Sequence, residues 1–255
     1  MKLALGALAI ATAASGGTPA ISPIPAATTQ LVTAIVDDWS ATTATLQLWQ
    51  RTGSGWTPVG DAWPSVIGSA GAAWGDGLHG RGAPAHRRGP VKREGDLKSP
   101  AGVFALRATY GYAAAPPAGA TLPYTASDEH LACIDDPASA SYAQIVDASR
   151  AKVDWKSHEA MKRPDALYTW VVDVAHNPTR ITGDGSCIFL HVWQDARSTT
   201  VGCTAMAEPA LARLIAALAA KAQPLYVLLP RAEYAALAAA WGLPPAPPNR
   251  HTVAP

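Results

Sequence analysis

The stretch CIFLHVWQDARSTTVGCTAMAEPALARLIAALAAKAQ, residues 187–223, decides the fold by combining a strand, a polar loop and a helix. The short apolar run that ends near His191 predicts a buried strand. Apolar residues at i, i+3, i+4 and i+7 then predict an amphipathic helix: Leu211, Leu214, Ile215 and Leu218. Cys203 lies between the two elements. It is a buried small residue, half of a disulfide, a metal ligand or a nucleophile.

The rest of the chain is rich in strand signals and poor in helix signals. A β-branched run predicts a strand at 30–36, and a glycine-containing turn predicts a hairpin between 45–49 and 56–60. Further strands are predicted at 102–113, 168–174 and 224–230, and helices at 157–162 and 231–241. The basic, turn-rich segment 81–102 has no apolar periodicity and is predicted to be exposed. These elements predict a mainly β fold with a few helices.

Length and charge limit the possible functions. The chain has 255 residues, 49% of them hydrophobic, which is enough for one large core. Its formal net charge of +1 and 15% charged residues give no strong field for nucleic acid. We therefore expect no nucleic-acid partner and a monomeric chain.

The first residues, MKLALGALAIATAASGGTPA, are typical of a secretory signal peptide of about residues 1–20. One lysine precedes an apolar run that is too short for a membrane span, and small residues follow it. No later stretch reaches the length of a spanning helix. We expect export to the periplasm or cell envelope, with no membrane span in the mature chain.

Export changes the interpretation of the three cysteines, because an oxidising compartment favours closed pairs. We expect Cys133 and Cys187 to form a disulfide and Cys203 to stay reduced. Three thiols allow three different single bridges, so the sequence alone leaves the pairing open.

A cysteine just before a helix is a candidate nucleophile. Backbone N–H groups at the start of a helix stabilise a thiolate and also a developing oxyanion. His191 could remove the thiol proton if the loop brings it within reach, and Gly202 lets a substrate approach the backbone closely.

Two sequence blocks carry a resemblance to a known family. KREGDLKSPAGVF, which ends at Phe104, and FLHVW…TTVGCTAM resemble the L,D-transpeptidase (YkuD-like) catalytic domain, in a divergent exported bacterial branch. The family stretch TPTGxF is matched by SPAGVF, residues 99–104, and the nucleophile block SHGC by Thr200-Val201-Gly202-Cys203. The family base is matched by His191, and the carbonyl that orients it by Val192. The resemblance covers residues 29–230, followed by a C-terminal helix and proline-rich tail at 231–255.

The resemblance implies both a fold and a reaction. The implied fold is a mixed β-sandwich or barrel with the nucleophile cysteine ahead of a helix. The implied reaction forms a Cys203 thioester with a peptidoglycan tetrapeptide. An amine of a second stem peptide then resolves the thioester in a transpeptidase, and water resolves it in a carboxypeptidase. Gly202 and Cys203 would supply oxyanion N–H groups, and no metal or organic cofactor is implied.

The sequence also departs from the family pattern. Val201 replaces the histidine of SHGC, and Ala205 replaces an arginine that often follows the cysteine. An inert peptidoglycan-binding module therefore stays a second hypothesis. A zinc site of Cys187, His191, Cys203 and His176 is a third, although the spacing is poor for a structural site.

Several other residues are candidates for substrate binding. We expect this role for Val192, Trp193, Thr200, Val201 and Asn177. Trp74 is a further candidate for the pocket wall, and Asp184 and Ser186 for orienting the site. Basic side chains that could hold substrate carboxylates are His86, Arg87, Arg88, Lys92, Arg93 and Lys98.

Overall fold

The computed structural model describes residues 22–247. The predicted signal peptide and the end of the proline-rich tail lie outside the described residues. The strands are β1 (Gln30–Val36), β2 (Thr43–Thr52), β3 (Gly55–Val66), β4 (Ala72–Trp74), β5 (Asp76–Gly77), β6 (Gly80–Arg81), β7 (Ser99–Gly111), β8 (Tyr124–Ala126), β9 (Leu131–Cys133), β10 (Ile145–Asp147), β11 (Glu159–Ala160), β12 (Trp170–Val174), β13 (Phe189–Val192), β14 (Thr204–Met206) and β15 (Leu225–Pro230). The helices are α1 (Glu208–Ala217) and α2 (Arg231–Trp241), with a 3₁₀ turn at Ala220–Ala222.

Eight strands of a ten-stranded mixed sheet close into a barrel. The strand order is β12-β13-β14-β3-β2-β1-β15-β7, and β7 pairs again with β12 to complete the ring. β7 can serve both sides because it is long, and it also carries β4 and β8 as parallel neighbours. Closure removes the unpaired edges that an open sheet of this size would present. The expectation of a mainly β fold with few helices is confirmed.

The predicted hairpin and most predicted strands are present, with small shifts at their ends. β1 matches its prediction, and β2 and β3 pair antiparallel across a turn in which Gly53 has a φ of 60°. The strand predicted at 168–174 begins two residues later, at Trp170. α1 buries Leu211, Leu214 and Ile215 against the core, as its apolar spacing predicts.

Two predictions about local structure are wrong. Residues 157–162 form no helix, and Glu159–Ala160 instead is strand β11, paired antiparallel with β9. Cys203 does not directly precede a helix either, because β14 follows it and α1 begins only at Glu208. The positive end of the α1 dipole therefore lies beyond reach of the thiol, since the effect is confined to the first turn.

The barrel sheet is covered on one side by a small second layer. β10, β9 and β11 form a separate three-stranded sheet, and a disulfide from Cys133 in β9 to Cys187, just before β13, ties it to the barrel. This is the pairing expected from the sequence. A compact apolar cluster fills the space between the layers: Cys133, Met161, Tyr168, Val171, Cys187, Phe189 and Cys203. The candidate nucleophile thus lies between the barrel and the small sheet.

The main core extends beyond residues 29–230 at both ends. Ile24 before this range and Tyr234, Leu237 and Trp241 of α2 all belong to the main cluster of buried apolar residues. The Ser22 hydroxyl donates a hydrogen bond of 2.7 Å to the carbonyl of Trp241. No helix in the described part of the chain is long and apolar enough to cross a membrane.

Candidate active site

Parallel pairing of β13 with β14 brings His191 and Cys203 to one face of the sheet. His191 is in register with Ala205, and Cys203 precedes Ala205 by two residues. Side chains two residues apart along an extended chain point to the same side. His191 and Cys203 accordingly line the same cavity, of about 200 Å³. This cavity is called the histidine cavity below.

Hydroxyl groups from two segments fix the backbone at Cys203. Ser99, the first residue of β7, is fully buried and donates a hydrogen bond of 2.9 Å to the Cys203 carbonyl. The Thr200 hydroxyl donates to the same carbonyl at 2.6 Å, and it accepts the Gly202 N–H at 3.2 Å. The two blocks that carry the family resemblance, 99–104 and 200–203, are therefore in direct contact.

Gly202 adopts a backbone conformation that favours glycine. Its φ is 152°, and a Cβ at this position would lie 3.2 Å from the Lys98 carbonyl oxygen. The Gly202 N–H, expected to help form an oxyanion site, is occupied by the Thr200 hydroxyl in this structure.

The Cys203 thiol is buried and faces backbone groups. Its Sγ accepts the Phe189 N–H at 3.3 Å and donates to the Cys187 carbonyl at 3.4 Å. Burial raises the pKa of the thiol well above its ordinary value. The lowered pKa expected from an adjacent helix is therefore wrong for the resting site.

His191 is held as a neutral imidazole. Its Nδ1 lies 2.7 Å from the Val192 carbonyl oxygen, so Nδ1 carries the proton and Nε2 is the free acceptor. The Tyr168 ring packs edge-on against the imidazole with ring centroids 5.3 Å apart. Burial lowers the pKa of His191 to about 4. In the described part of the chain, His191 and Cys203 share a cavity without a direct hydrogen bond.

A second cavity of about 200 Å³ also reaches Cys203. It is lined by Glu94, Asp135 and Glu159 and is called the acidic cavity below. Cys203, Val201 and Glu159 line both cavities. The sulfur atom therefore lies at the junction of two spaces, one with an imidazole and one with carboxylates.

Hydrogen bonds to tyrosines position two of these carboxylates. Tyr168 donates to Oε2 of Glu159 at 2.5 Å, and Tyr142 donates to Oε2 of Glu94, also at 2.5 Å. Burial raises the pKa of Glu159. Asp135 differs, because its buried Oδ1 has no hydrogen-bond partner among the described residues.

Sequence reasoning did not identify Glu159 or Tyr168. Both are far from Cys203 in the chain and belong to no recognisable motif. Glu159 reaches the site only because β11 pairs with β9, which the disulfide ties to the barrel. No local signal in the sequence reports that contact.

The structure brings some predicted substrate-binding residues to the site and leaves others outside it. Trp193, Thr200 and Val201 line the histidine cavity, and Val201 is 65% exposed. Val192 contributes through its carbonyl, which orients His191. Asn177 lines neither cavity, and its buried amide donates to the carbonyls of Ile181 and Gly185.

Trp74 and the basic segment are also largely structural. Trp74 is fully buried in the main core and lines neither cavity. Lys92 is buried, against the expectation of an exposed loop, and pairs with Asp96 at 2.5 Å. Arg87 pairs with Glu233 at 2.6 Å.

The two residues expected to orient the site have different positions. Ser186 lines the acidic cavity, whereas Asp184 pairs with Arg81 at 2.5 Å, outside both cavities.

The proposed zinc ligands do not assemble. Cys187 is in the disulfide, and His176 accepts the Asp76 N–H with Nδ1 while its Nε2 lies 3.0 Å from the Asp184 carbonyl. Within residues 22–247 no three His, Cys, Asp or Glu side chains form a group that could hold a metal ion.

Comparison of the chain with family models, curated proteins and solved structures finds no match. The geometry around Cys203 and the resemblance of the two sequence blocks are therefore the features that bear on function.

Proposed function

We propose that the protein is an exported cysteine acyltransferase that acts on peptidoglycan stem peptides by L,D-transpeptidation. One observation carries the proposal: Cys203 lies at the junction of two cavities, and a neutral histidine lines one of them. A nucleophile that borders two cavities suits a reaction in which an acyl donor and an acyl acceptor are bound separately. The resemblance to L,D-transpeptidases supplies the substrate class.

The first half-reaction is acylation of Cys203. Rotation of the side chain would release Sγ from the Cys187 carbonyl and direct it towards His191. Nε2 then takes the thiol proton as sulfur attacks the substrate carbonyl carbon. The Cys203 N–H stabilises the negative oxygen, and the Gly202 N–H joins it if the Thr200 hydroxyl gives way. His191 returns the proton to the leaving amine, and the thioester remains.

A second candidate function follows from the thiol environment. Burial and the raised pKa of Cys203 are typical of an unreactive structural cysteine. Together with Val201 and Ala205 in place of the family residues, they favour an inert module that only binds peptidoglycan. Hydrolysis of the thioester by water, giving an L,D-carboxypeptidase, is a variant of the first candidate.

Product analysis separates these candidates. Purified disaccharide-tetrapeptides are incubated with the wild-type protein and with Cys203→Ala, and products are identified by mass spectrometry. A 3-3 linked dimer from the wild type alone supports transpeptidation, whereas a disaccharide-tripeptide alone indicates carboxypeptidation. Turnover by Cys203→Ala at the wild-type rate, or no product with either protein, would overturn the acyltransferase proposal.

A further inference from the structure

Glu159 is a carboxylate next to the proposed nucleophile and forms no salt bridge with a residue in 22–247. It lines both cavities together with Cys203. Its Oε2 accepts the Tyr168 hydroxyl, and Oε1 accepts no hydrogen bond from the described residues. Oε1 borders the cavities, where water or a cationic ligand group can complete its contacts.

The basic side chains nearby are bound elsewhere. Arg163, which also lines the histidine cavity, pairs with Asp165 at 2.9 Å. Lys92 in the acidic cavity pairs with Asp96 and donates to the Arg93 carbonyl at 2.7 Å. Neither forms a salt bridge with Glu159 in the described part of the chain. Burial is the larger effect on the pKa of Glu159 and raises it, whereas Arg163 acts on Glu159 at longer range and lowers its pKa.

The acidic cavity adds a second, independent observation that favours a cationic ligand. The buried Oδ1 of Asp135 has no hydrogen-bond donor among residues 22–247. With Glu94 and Glu159 it gives this cavity three carboxylates around a volume of about 200 Å³. An ammonium group offers three N–H donors and one positive charge, which fits such a wall.

We propose that Glu159 is a further catalytic residue, which accepts the proton of a cationic amine that then attacks the Cys203 thioester. The inference rests on the proposed function and concerns its second half-reaction. The ammonium group of the acceptor enters the acidic cavity and transfers one proton to Glu159. The free amine attacks the thioester carbon, and His191 takes a second proton from the attacking nitrogen. The carbon–sulfur bond then breaks, His191 protonates the thiolate, and an amide is released.

This role gives the protein a preference for amines over water as acyl acceptors. An ammonium ion has no lone pair for attack, so a base that removes its proton within the site makes it reactive at neutral pH. Burial raises the pKa of Glu159, which brings the carboxylate closer to the range in which a base works near neutrality.

The test separates the two half-reactions. The wild type, Glu159→Gln and the control Glu129→Gln are acetylated with p-nitrophenyl acetate, and unreacted ester is removed. Glu129 is an exposed surface glutamate just before β9, so its substitution reports nonspecific effects. The acetyl-enzymes are mixed at pH 6.5 with glycinamide, a cationic amine, or with hydroxylamine, a largely uncharged nucleophile. Loss of the acetyl group is followed by intact-protein mass spectrometry.

We expect Glu159→Gln to acetylate normally and to transfer to hydroxylamine at the wild-type rate. Transfer to glycinamide should fall by at least ~10²-fold, the lower range for loss of a positioned base. The difference in glycinamide transfer between the wild type and Glu159→Gln should become smaller at pH 9. An α-amino group has a pKa of about 8 and has largely lost its proton at that pH. A purely structural effect of the substitution would not depend on the acceptor or on pH.

The other possible results of this experiment also test the role of Glu159. Equal transfer to glycinamide by the wild type and Glu159→Gln overturns the role of Glu159 and leaves Cys203 as nucleophile. Failure of the wild type to form an acetyl-Cys203 overturns the proposed function and this inference together. If Glu159→Gln does not fold, the rate of acetyl transfer from the wild type to glycinamide is measured as a function of pH. A rate that stays constant below pH 8 supports the inference. A rate that falls tenfold for each unit of decreasing pH contradicts it.

Discussion

At Cys203 and His191, the proposed nucleophile and base, burial keeps both side chains neutral. The pKa of the thiol is raised and that of the imidazole is lowered to about 4, in each case chiefly by loss of solvent. A preformed thiolate and imidazolium pair is therefore disfavoured in the resting protein. Proton removal and sulfur attack must occur together when a substrate is bound. Motif reasoning predicted both residues as the nucleophile and the base, but a sequence does not report how deeply a side chain is buried.

Because the Cys203 thiol and the His191 imidazole are both neutral, we predict that the acylation rate changes little with pH. The base is competent while His191 is unprotonated, so the rate should fall only as the pH approaches the pKa of about 4. Between about pH 5 and 9 the acylation rate should be nearly constant, since the raised pKa keeps the thiol protonated. Single-turnover acetylation by p-nitrophenyl acetate measures this rate. A fall with a midpoint near 6.5, the ordinary histidine value, would contradict the assignment.

Removing the imidazole should slow acylation by roughly 10²–10⁴-fold, the usual contribution of a positioned base. His191→Ala should also make the rate rise with pH, because reaction then depends on the small thiolate fraction. His130→Ala, at an exposed histidine, is the matched control. Equal rates for wild type and His191→Ala in single-turnover acetylation would exclude His191 as the base.

Among the elements, β11 shows where local reasoning fails. Residues 157–162 contain good helix formers, including Glu159 and Met161, and this composition favours a helix. Pairing of Glu159 with Cys133 in β9 overrides that preference. Strands β1 and β15 were predictable from local sequence, because β1 is a β-branched run and β15 is a short apolar run. The small sheet depends on a disulfide between residues 54 positions apart, which no local pattern encodes.

The disulfide should therefore support both stability and the site. Replacing Cys133 and Cys187 together by alanine should lower the free energy of unfolding by roughly 2–5 kcal/mol, the usual cost of losing a native bridge. Transfer to glycinamide should fall more than acetylation, because the bridge holds β9 and thus the register of Glu159. Urea unfolding and the two-step transfer assay provide the measurements. An unchanged free energy of unfolding together with unchanged transfer rates would show that the small sheet packs on the barrel without the disulfide.

On the scale of the whole molecule, the barrel, α1 and α2 share one core. The length and apolar fraction of the chain predicted a single large domain. The family resemblance ended that domain at residue 230, yet Tyr234, Leu237 and Trp241 are buried in the main cluster. The alanine-rich sequence of α2 gives only a weak apolar stripe, so its docking was not evident before the fold was known.

Loss of the Trp241 side chain tests this shared core. Trp241→Ala should lower the free energy of unfolding by roughly 3–5 kcal/mol, because a large buried side chain is replaced by a cavity. Val153→Ala, at a residue that is 60% exposed, should stay within about 0.5 kcal/mol of wild type. Urea denaturation followed by circular dichroism measures both. A cost below about 1 kcal/mol for Trp241→Ala would mean that α2 is an appendage to the barrel.

The central claim is that Cys203 forms a thioester with a peptidoglycan stem peptide. The most direct measurement is rapid acid quenching of the wild type and Cys203→Ala after mixing with disaccharide-tetrapeptide, followed by intact-protein mass spectrometry. We predict one disaccharide-tripeptide acyl group on the wild type, located at Cys203 and released by hydroxylamine, and none on Cys203→Ala. Absence of an adduct on the wild type, or an equal adduct on Cys203→Ala, would contradict the claim.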